Sequence, residues 1–361
     1  MTLRLENIQL NDGSSELITN LNATFSRGIN VLVGSTLSGK TTTMRLIAGL
    51  VKPTSGLISL DSKDLTKVEV RDRSVSFVYQ QFINYPSFTV FENIASPLRV
   101  AKIKQSKQEI KERVEEMASM LGISQFLDRK PSELSGGQQQ RVAIARALAR
   151  KSDIVLLDEP LANLDYKLRE QLRDELHSIF DNSDSVVIYS TAEPDEALYF
   201  SAPTYVLHEG QLQQNDLPLE IYNRPENLFT ARALSDPPLN LLEGRSVDGL
   251  LEFAGISVKG KSVLANGEFL FGVRPHNLHA VAQASDTAEL TGEVQLAEVT
   301  GSFTFVHIKL KPGEEIVVEL EGAHSINPGE NFTAYFDPAS LYGFDPNSSQ
   351  TVLFPGKEVV A

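Results

Sequence analysis

The feature that most constrains the fold of this chain is the segment GSTLSGKT, Gly34 to Thr41. It continues the apolar run INVLV and opens a predicted helix from Lys40 to about Leu50. Two glycines separated by four residues, followed by Lys and Thr between a strand and a helix, form the phosphate-binding loop pattern. The chain must therefore fold so that a buried strand delivers a glycine-rich loop to the N-terminus of a helix.

Each part of this loop has a chemical role in binding phosphate. Backbone N–H groups of the loop and of the helix N-terminus point at the anion. Lys40 neutralises charge on the β- and γ-phosphates, and Thr41 offers a hydroxyl to Mg²⁺. The sequence therefore predicts a nucleotide with Mg²⁺ here. The residues expected to contact the nucleotide are Gly34, Ser35, Thr36, Leu37, Ser38, Gly39, Lys40, Thr41 and Thr42.

A second motif, IVLLDE, ends in two carboxylates. Four apolar residues predict a buried strand, and Asp158 follows them at the carboxyl end, where ligands bind in open α/β sheets. We expect Asp158 to hold Mg²⁺ through water and Glu159 to polarise the attacking water. Taken alone, a strand that ends in Asp-Glu is most often solvated, and the upstream phosphate loop favours the catalytic interpretation.

The pattern of apolar and polar residues differs between the N-terminal and C-terminal parts of the chain. Up to about residue 235, the apolar runs INVLVG, SVSFVYQ, DIVLLDE and SVVIYS alternate with helical patterns, which predicts an α/β domain with a largely parallel sheet. A helical insert, about 85–132, interrupts it, with apolar residues at helical spacing from Ile110 to Leu121. From Asp236, short alternating runs such as GEVQLAEV and TFVHIKL predict a small all-β domain. The predicted domains are 1–235 and 236–361.

Composition limits the possible partners. The net charge of −14 argues against a nucleic-acid groove, and the lack of cysteine fits a reducing compartment. The N-terminus MTLRLENIQL lacks the pattern of a signal peptide, and no apolar stretch is long enough to cross a bilayer. If the protein acts at a membrane, we expect it to do so through a partner.

A third motif, LSGGQQQR, lies between the other two and begins at Leu134. By itself it predicts a serine cap and two glycines before a helix. Together with the other motifs, it resembles the signature of the ATP-binding-cassette (ABC) ATPases. The resemblance covers nearly the whole first domain. It implies that Ser135, Gly136, Gly137 and Gln138 contact the γ-phosphate of ATP held by the other subunit of a head-to-tail dimer.

Further segments are similar to this family. Gln80 matches the glutamine that touches Mg²⁺ and senses the transporter, so the resemblance implies Thr41, Gln80 and Asp158 around the metal and Gln80 with Glu159 in catalysis. Residues Ala162, Asn163, Leu164 and Asp165 match the loop that crosses the dimer interface.

Segments of the predicted second domain indicate which group of ABC ATPases the chain resembles. FGVRPHNL and YFDPASLYGFD are similar to the OB-like (TOBE-type) domain of carbohydrate-importer ATPases, and the TLSGKT, QQFINYP and T-x-E-P segments look most like glycerol-importer ATPases. This implies ATP and Mg²⁺ as cofactors and a place on the cytoplasmic face of the bacterial inner membrane. The implied partners are integral-membrane permease subunits, a solute-binding protein and a second ATPase subunit.

Three positions depart from the family pattern. Leu37 stands where glycine is usual, and its β-carbon must tolerate the backbone angles of the loop. The loop Leu10 to Leu17 contains no aromatic residue to stack on adenine. Ala192 occupies the place of the switch histidine, which bonds the γ-phosphate.

Two interpretations of Ala192 remain open. In one, Thr191 or a water molecule takes over from the histidine. In the other, the site binds ATP but hydrolyses it slowly, because losing one transition-state contact costs roughly a hundredfold in comparable sites. The signature is intact, so we expect the chain to complete the site of a competent partner ATPase.

Three classes of function compete. The favoured one is the energy-coupling ATPase of an importer for a carbohydrate or polyol, with glycerol or glycerol-3-phosphate preferred. The second is an ABC protein without a transporter, and the third is a regulatory nucleotide sensor. The single cassette and short insert argue against the second class, and the retained Glu159 and Gln80 argue against the third.

Overall fold

A computed structural model describes residues 1–100, 105–162, 164–181, 183–259, 264–283, 285, 287–310 and 313–356. The chain divides into two compact units, Met1–Pro218 and Leu219–Ala361. Across the described residues, every helix is too short or too polar to traverse a lipid bilayer.

The first unit contains ten strands and most of the helices. Its strands are β1 Thr2–Asp12, β2 Ser15–Ser26, β3 Gly28–Val33, β4 Ser55–Leu60, β5 Lys63–Asp64, β6 Val75–Val78, β7 Ile154–Asp158, β8 Val186–Thr191, β9 Thr204–His208 and β10 Gln211–Asp216. The helices are α1 Lys40–Ala48, α2 Val90–Arg99, α3 Lys107–Met120, α4 Gly136–Ala149, α5 Tyr166–Phe180 and α6 Pro194–Phe200, and α7 Pro218–Asn223 begins at the last residue of the unit.

The central sheet of this unit has the strand order β10-β9-β3-β8-β7-β6. β3 pairs in parallel with β8 and β9, and β7 pairs in parallel with β6 and β8, whereas β10 runs antiparallel to β9. Every residue of β7 and β8 is buried. The predicted parallel sheet and its four predicted strands are thus confirmed, and parallel pairing brings the carboxyl ends of β3, β7 and β8 to one edge.

A second sheet, β2-β1-β4-β5, is antiparallel and was not predicted. The alternation in MTLRLENIQL is the pattern of β1, whose Leu3 and Leu5 are buried. Residues of both sheets share one hydrophobic core with Met44 and Ile47 of α1. The helix that follows the phosphate loop is therefore packed into the hydrophobic core that the two sheets share.

The helical insert contains α2 and α3, as predicted; residues 101–104 of the predicted range lie outside the described part. α3 begins with a capping box in which Ser106 and Glu109 bond each other's backbone N–H groups. Its apolar stripe buries Val114 and Met117. The pattern from Ile110 to Leu121 was thus correctly assigned to a helix.

The second unit is mainly β. Its elements are α8 Leu228–Ala233, β11 Asn240–Val247, β12 Leu250–Phe253, β13 Ile256–Lys259, β14 Gly267–Val273, β15 Ala288–Val299, β16 Phe303–Leu310, β17 Glu315–Glu321, β18 Asn331–Phe336, β19 Tyr342–Phe344 and β20 Thr351–Leu353. They form two antiparallel sheets, β13-β12-β11-β14-β19-β20 and β17-β16-β15-β18, around a common core. This confirms the all-β character predicted for the C-terminal part.

The boundary between the units differs from the predicted one. The second unit begins at Leu219 rather than at Asp236. The intervening segment packs with it because Leu228 and Ala231 join a cluster with Phe344. The change from helical to alternating sequence patterns marks where the β-strands begin. The packing of side chains determines where the compact unit begins.

Arg274 fixes this segment to the second unit. Its guanidinium is 2 % exposed, donates to the Tyr222 carbonyl at 2.7 Å and lies 3.6 Å from the centroid of the Tyr222 ring. A second ring, Tyr342, lies 5.4 Å away. A buried cation is held here by aromatic faces and backbone carbonyls.

We expect Arg274→Ala to destabilise the second unit by about 3 kcal/mol, because it leaves a cavity and reduces the donors to the Tyr222 carbonyl to the longer bond from the Tyr342 hydroxyl at 3.3 Å. Hydrogen exchange measured peptide by peptide should show lost protection across α7 and α8. The control is Arg245→Ala, which removes an exposed ion pair with Glu252 and should cost less than about 0.5 kcal/mol. Equal protection in both variants would contradict this role of Arg274.

Candidate functional site

The phosphate loop joins β3 to α1 with backbone angles that few residues adopt. Gly39 has φ 106°, and a β-carbon on Gly34 would lie 2.3 Å from the Leu207 carbonyl oxygen, so both positions require glycine. Leu37 has φ 69°, and its side chain is 95 % exposed. The loop therefore tolerates the unexpected leucine by pointing it into solvent, at a conformational cost of about 1 kcal/mol.

Lys40 lies over this loop as the first residue of α1. Its Nζ donates to the carbonyls of Gly34 at 2.6 Å and Ser35 at 3.0 Å, and it lies 3.2 Å from Oε1 of Glu159. The side chain is 4 % exposed. A buried ammonium beside a helix N-terminus, whose first N–H groups have no acceptor within the helix, forms a site for an anion.

Ser38 gives an independent indication that this cradle holds a ligand. Its hydroxyl is buried and has no hydrogen-bond partner among the described residues. A buried polar atom without a partner is uncommon and requires an explanation. A phosphate oxygen in the loop is an acceptor of the required kind, so the residues present fit a bound nucleotide.

Asp158 lies beside Thr41, as the two motifs predict. Thr41 Oγ1 donates to Asp158 Oδ1 at 3.0 Å, across 117 residues of sequence. Burial raises the pKa of the Asp158 carboxyl, and hydrogen bonds from Ser190 and Thr41 oppose this rise. A hydroxyl and a carboxylate at this spacing are the hard oxygen donors that suit Mg²⁺ together with phosphate oxygens.

Gln80 lies next to Glu159, the carboxylate predicted to be catalytic. Two residues beyond the end of β6, its Nε2 donates to Glu159 Oε2 at 2.7 Å. Of the three predicted metal ligands, hydrogen bonding joins Thr41 to Asp158, whereas Gln80 bonds to Glu159. Within the described residues there is no group of three or more His, Cys, Asp or Glu that could hold a metal, so a Mg²⁺ ion here would depend on mixed donors and phosphate.

Sequence reasoning missed Ser190. It lies opposite Asp158 in the parallel pairing of β7 and β8. Its hydroxyl donates to Asp158 Oδ1 at 2.8 Å and accepts the Glu159 N–H at 3.0 Å. The available signal was a polar residue at the end of an apolar run, and only the strand order shows which residue it faces.

The signature residues form the N-terminus of α4. Ser135 caps the helix, and Ser135 and Gln138 bond each other's backbone N–H groups. A β-carbon on Gly137 would lie 2.1 Å from the end of the Leu168 side chain, which would have to move to admit it, whereas one on Gly136 would meet nothing within 4 Å. No hydrogen bond between described residues joins this turn to the chain's own phosphate loop.

The position of the switch residue is occupied by an exposed alanine. Ala192 follows the last residue of β8. The neighbouring Thr191 is 2 % exposed; its hydroxyl oxygen accepts the Glu193 N–H at 3.0 Å and bonds the Glu196 carboxylate. Burial raises the pKa of Glu196, and the hydroxyl of the buried Tyr189 donates to it at 2.8 Å. The Thr191 hydroxyl is thus already engaged.

The structure also describes parts of two other predicted loops, the one expected to cross a dimer interface and the one that lacks an aromatic residue. In the loop predicted to cross a dimer interface, Asp165 caps α5 by accepting the Leu168 N–H at 3.0 Å, and Asn163 lies outside the described residues. The loop without an aromatic forms the turn between β1 and β2.

Two family models match the chain, one within each of its two units. The ABC transporter family matches residues 18–162, and the TOBE domain family matches residues 271–344. The sn-glycerol-3-phosphate import ATP-binding protein UgpC of Cereibacter sphaeroides is 38 % identical over 320 residues, with 89 % of this chain and 90 % of that protein covered. The trehalose/maltose import ATP-binding protein MalK of Thermococcus litoralis is 35 % identical, with coverages of 90 % and 91 %.

A solved structure supports the same assignment for the first unit. The dimeric post-hydrolysis ATP-binding cassette MJ0796, bound to ADP and Pi, is 30 % identical with a TM-score of 0.54. The match covers 60 % of this chain and 98 % of that one.

Lys40→Ala should weaken ATP binding by on the order of a hundredfold, because it removes the cation buried beneath the predicted phosphates. Binding of a fluorescent ATP analogue to the full chain measures this. The control is Lys52→Ala, whose side chain is 69 % exposed and paired with Glu69. Unchanged affinity in Lys40→Ala would show that the nucleotide does not lie in this loop.

Proposed function

Because the chain belongs to the ABC transporter family of ATP-binding subunits and is an ATPase coupled to transport, we propose that it powers an importer for a carbohydrate or polyol. The observation that carries this proposal is the convergence of Lys40, Thr41, Gln80, Asp158 and Glu159 on one edge of the sheet through direct hydrogen bonds and an ion pair. Glycerol or glycerol-3-phosphate is the favoured cargo, since UgpC by its name imports sn-glycerol-3-phosphate.

The residues of this edge have separate tasks in hydrolysis. The phosphate loop and Lys40 bind the phosphates, and Thr41, Asp158 and Gln80 hold Mg²⁺. The metal supplies charge neutralisation at the phosphate oxygens. Glu159, held between Lys40 and Gln80, orients and polarises the attacking water.

The signature serves the site of a second subunit. Nothing within 4 Å of a β-carbon on Gly136 requires glycine there, and glycine costs helix stability relative to alanine. The approach of a ligand from outside the chain explains this residue. We infer a head-to-tail dimer in which Ser135, Gly136, Gly137 and Gln138 face the γ-phosphate of the partner subunit.

The membrane partners dock on the helical insert. A groove of about 550 Å³ there is lined by Tyr85, Phe88, Pro97, Arg99, Arg146 and Arg150, among others. Arg146 lies over the Tyr85 ring, and burial lowers its pKa. Apolar walls with basic residues suit a cytoplasmic permease segment that carries an acidic side chain, and this supports our proposal that the chain acts at the inner face of the bacterial membrane. A solute-binding protein completes the system.

Ala192 supports an unequal pair of ATPase subunits. A methyl group cannot bond the γ-phosphate, and Thr191 is engaged with Glu193 and Glu196. The chain's own site then hydrolyses ATP slowly, while its signature completes the site of a second, competent ATPase subunit.

Ala192→His tests this asymmetry. We expect the substitution to raise ATP hydrolysis by the purified chain about tenfold or more, because it adds a transition-state contact. Glu193→His, which places the imidazole one residue further along, is the matched control and should have no such effect. Hydrolysis by the unsubstituted chain at ordinary turnover would contradict the impaired site.

Glu159→Gln tests whether ATP hydrolysis at the chain's own site is needed for transport. In the complex recovered from membranes with the tagged chain, we expect substrate uptake into vesicles to fall at least about tenfold if hydrolysis at this site is needed. Glu69→Gln, on an exposed carboxylate paired with Lys52, is the control. Unchanged uptake would show that turnover at this chain's own site is dispensable, as in a sensor or in an unequal pair, and recovery of the chain without permease proteins would argue against an importer.

A further inference from the structure

We propose that Ser190 is a positioning residue that couples the magnesium-binding carboxylate Asp158 to the catalytic carboxylate Glu159. This inference rests on the proposed ATPase function and concerns the same site. Ser190 lies in β8, whereas the two carboxylates lie at the end of β7. One hydroxyl thus bonds to two consecutive functional residues of the neighbouring strand.

The contacts of the hydroxyl fix both of its neighbours. Ser190 Oγ donates to Asp158 Oδ1 at 2.8 Å and accepts the backbone N–H of Glu159 at 3.0 Å. Thr41 donates to the same Oδ1 at 3.0 Å. Because both donors use Oδ1, they fix the orientation of the carboxylate and leave Oδ2 without a bond from either of them.

The second contact acts on an unusual backbone conformation. Glu159 has φ 43°, in the left-handed region that costs a non-glycine residue about 1 kcal/mol. Among the described residues, its N–H bonds to Ser190, through the hydroxyl at 3.0 Å and through the backbone carbonyl oxygen at 3.2 Å. The backbone bond is available to any residue at this position, so the hydroxyl adds the shorter of the two bonds that hold the turn aiming the Glu159 carboxylate at Gln80 and Lys40.

A purely structural role does not explain a hydroxyl at this position. Ser190 is 0 % exposed and follows the buried apolar residues Val187 and Ile188 in β8. An apolar residue would fill a strand between two others at no polar cost. The hydroxyl instead lies where it meets the two carboxylate residues, and its removal takes one hydrogen bond from each of them.

An isosteric pair, Ser190→Thr and Ser190→Val, tests this role, because the two side chains differ by one hydroxyl. ATP binding to the full chain is measured by calorimetry with Mg²⁺ and again with EDTA. We expect Ser190→Val to weaken binding with Mg²⁺ about tenfold relative to Ser190→Thr and to change binding in EDTA less than about twofold. The residual kcat of ATP hydrolysis by the purified chain should fall in the same variant and be restored by Thr.

The control is Ser185→Ala, which removes a hydroxyl from the residue just before β8 that bonds the Ser152 carbonyl. It should leave both affinities unchanged. Equal affinities of the Thr and Val variants with Mg²⁺, or an equal loss in EDTA, would overturn the positioning role. If the unsubstituted chain bound no ATP in either condition, the proposed ATPase function itself would fail.

Discussion

The hydrogen bond from Thr41 to Asp158 is the contact on which the site depends. It joins the first turn of the helix after the phosphate loop to the end of a strand 117 residues later. The bond forms because β3, β8 and β7 are parallel neighbours and therefore release their carboxyl ends at one edge. With α1 clamped in the core shared by two sheets, the edge becomes a rigid frame for phosphate and metal.

Around this contact, the residues of the predicted site are joined to one another. The phosphate loop, the two carboxylates and Gln80 form a connected set, and the predicted signature turn is capped as a regular helix N-terminus. Ala192, by contrast, brings only an exposed methyl group to the end of β8. Our proposal of an unequal pair of subunits starts from this contrast.

The second unit is held together by different contacts from those of the first. Its two antiparallel sheets bury one core, and a guanidinium between tyrosine rings ties the preceding helical segment to it. This segment carries little β pattern, so its membership depends on tertiary packing. The same reason explains why the predicted boundary fell after α8 rather than before α7.

The sequence by itself determined the parts with short-range signals. The glycine spacing of the loop, the apolar strands that end in polar residues and the helical period of α3 are all encoded within a few residues. These signals were sufficient for the phosphate loop, the acidic strand end and the division into an α/β and a β unit, and the comparisons confirm the family. Leu37 could be recognised as unusual for the same reason.

Only the tertiary structure decided which residues face one another. The alternation in β1 is compatible with many sheets, and the partner strands at residues 15–26 and 55–60 are chosen by packing. Ser190 has no local mark beyond its polarity, and its contact with Asp158 arises from strand order and register. Such contacts depend on non-local pairing, which a reading of neighbouring residues cannot supply.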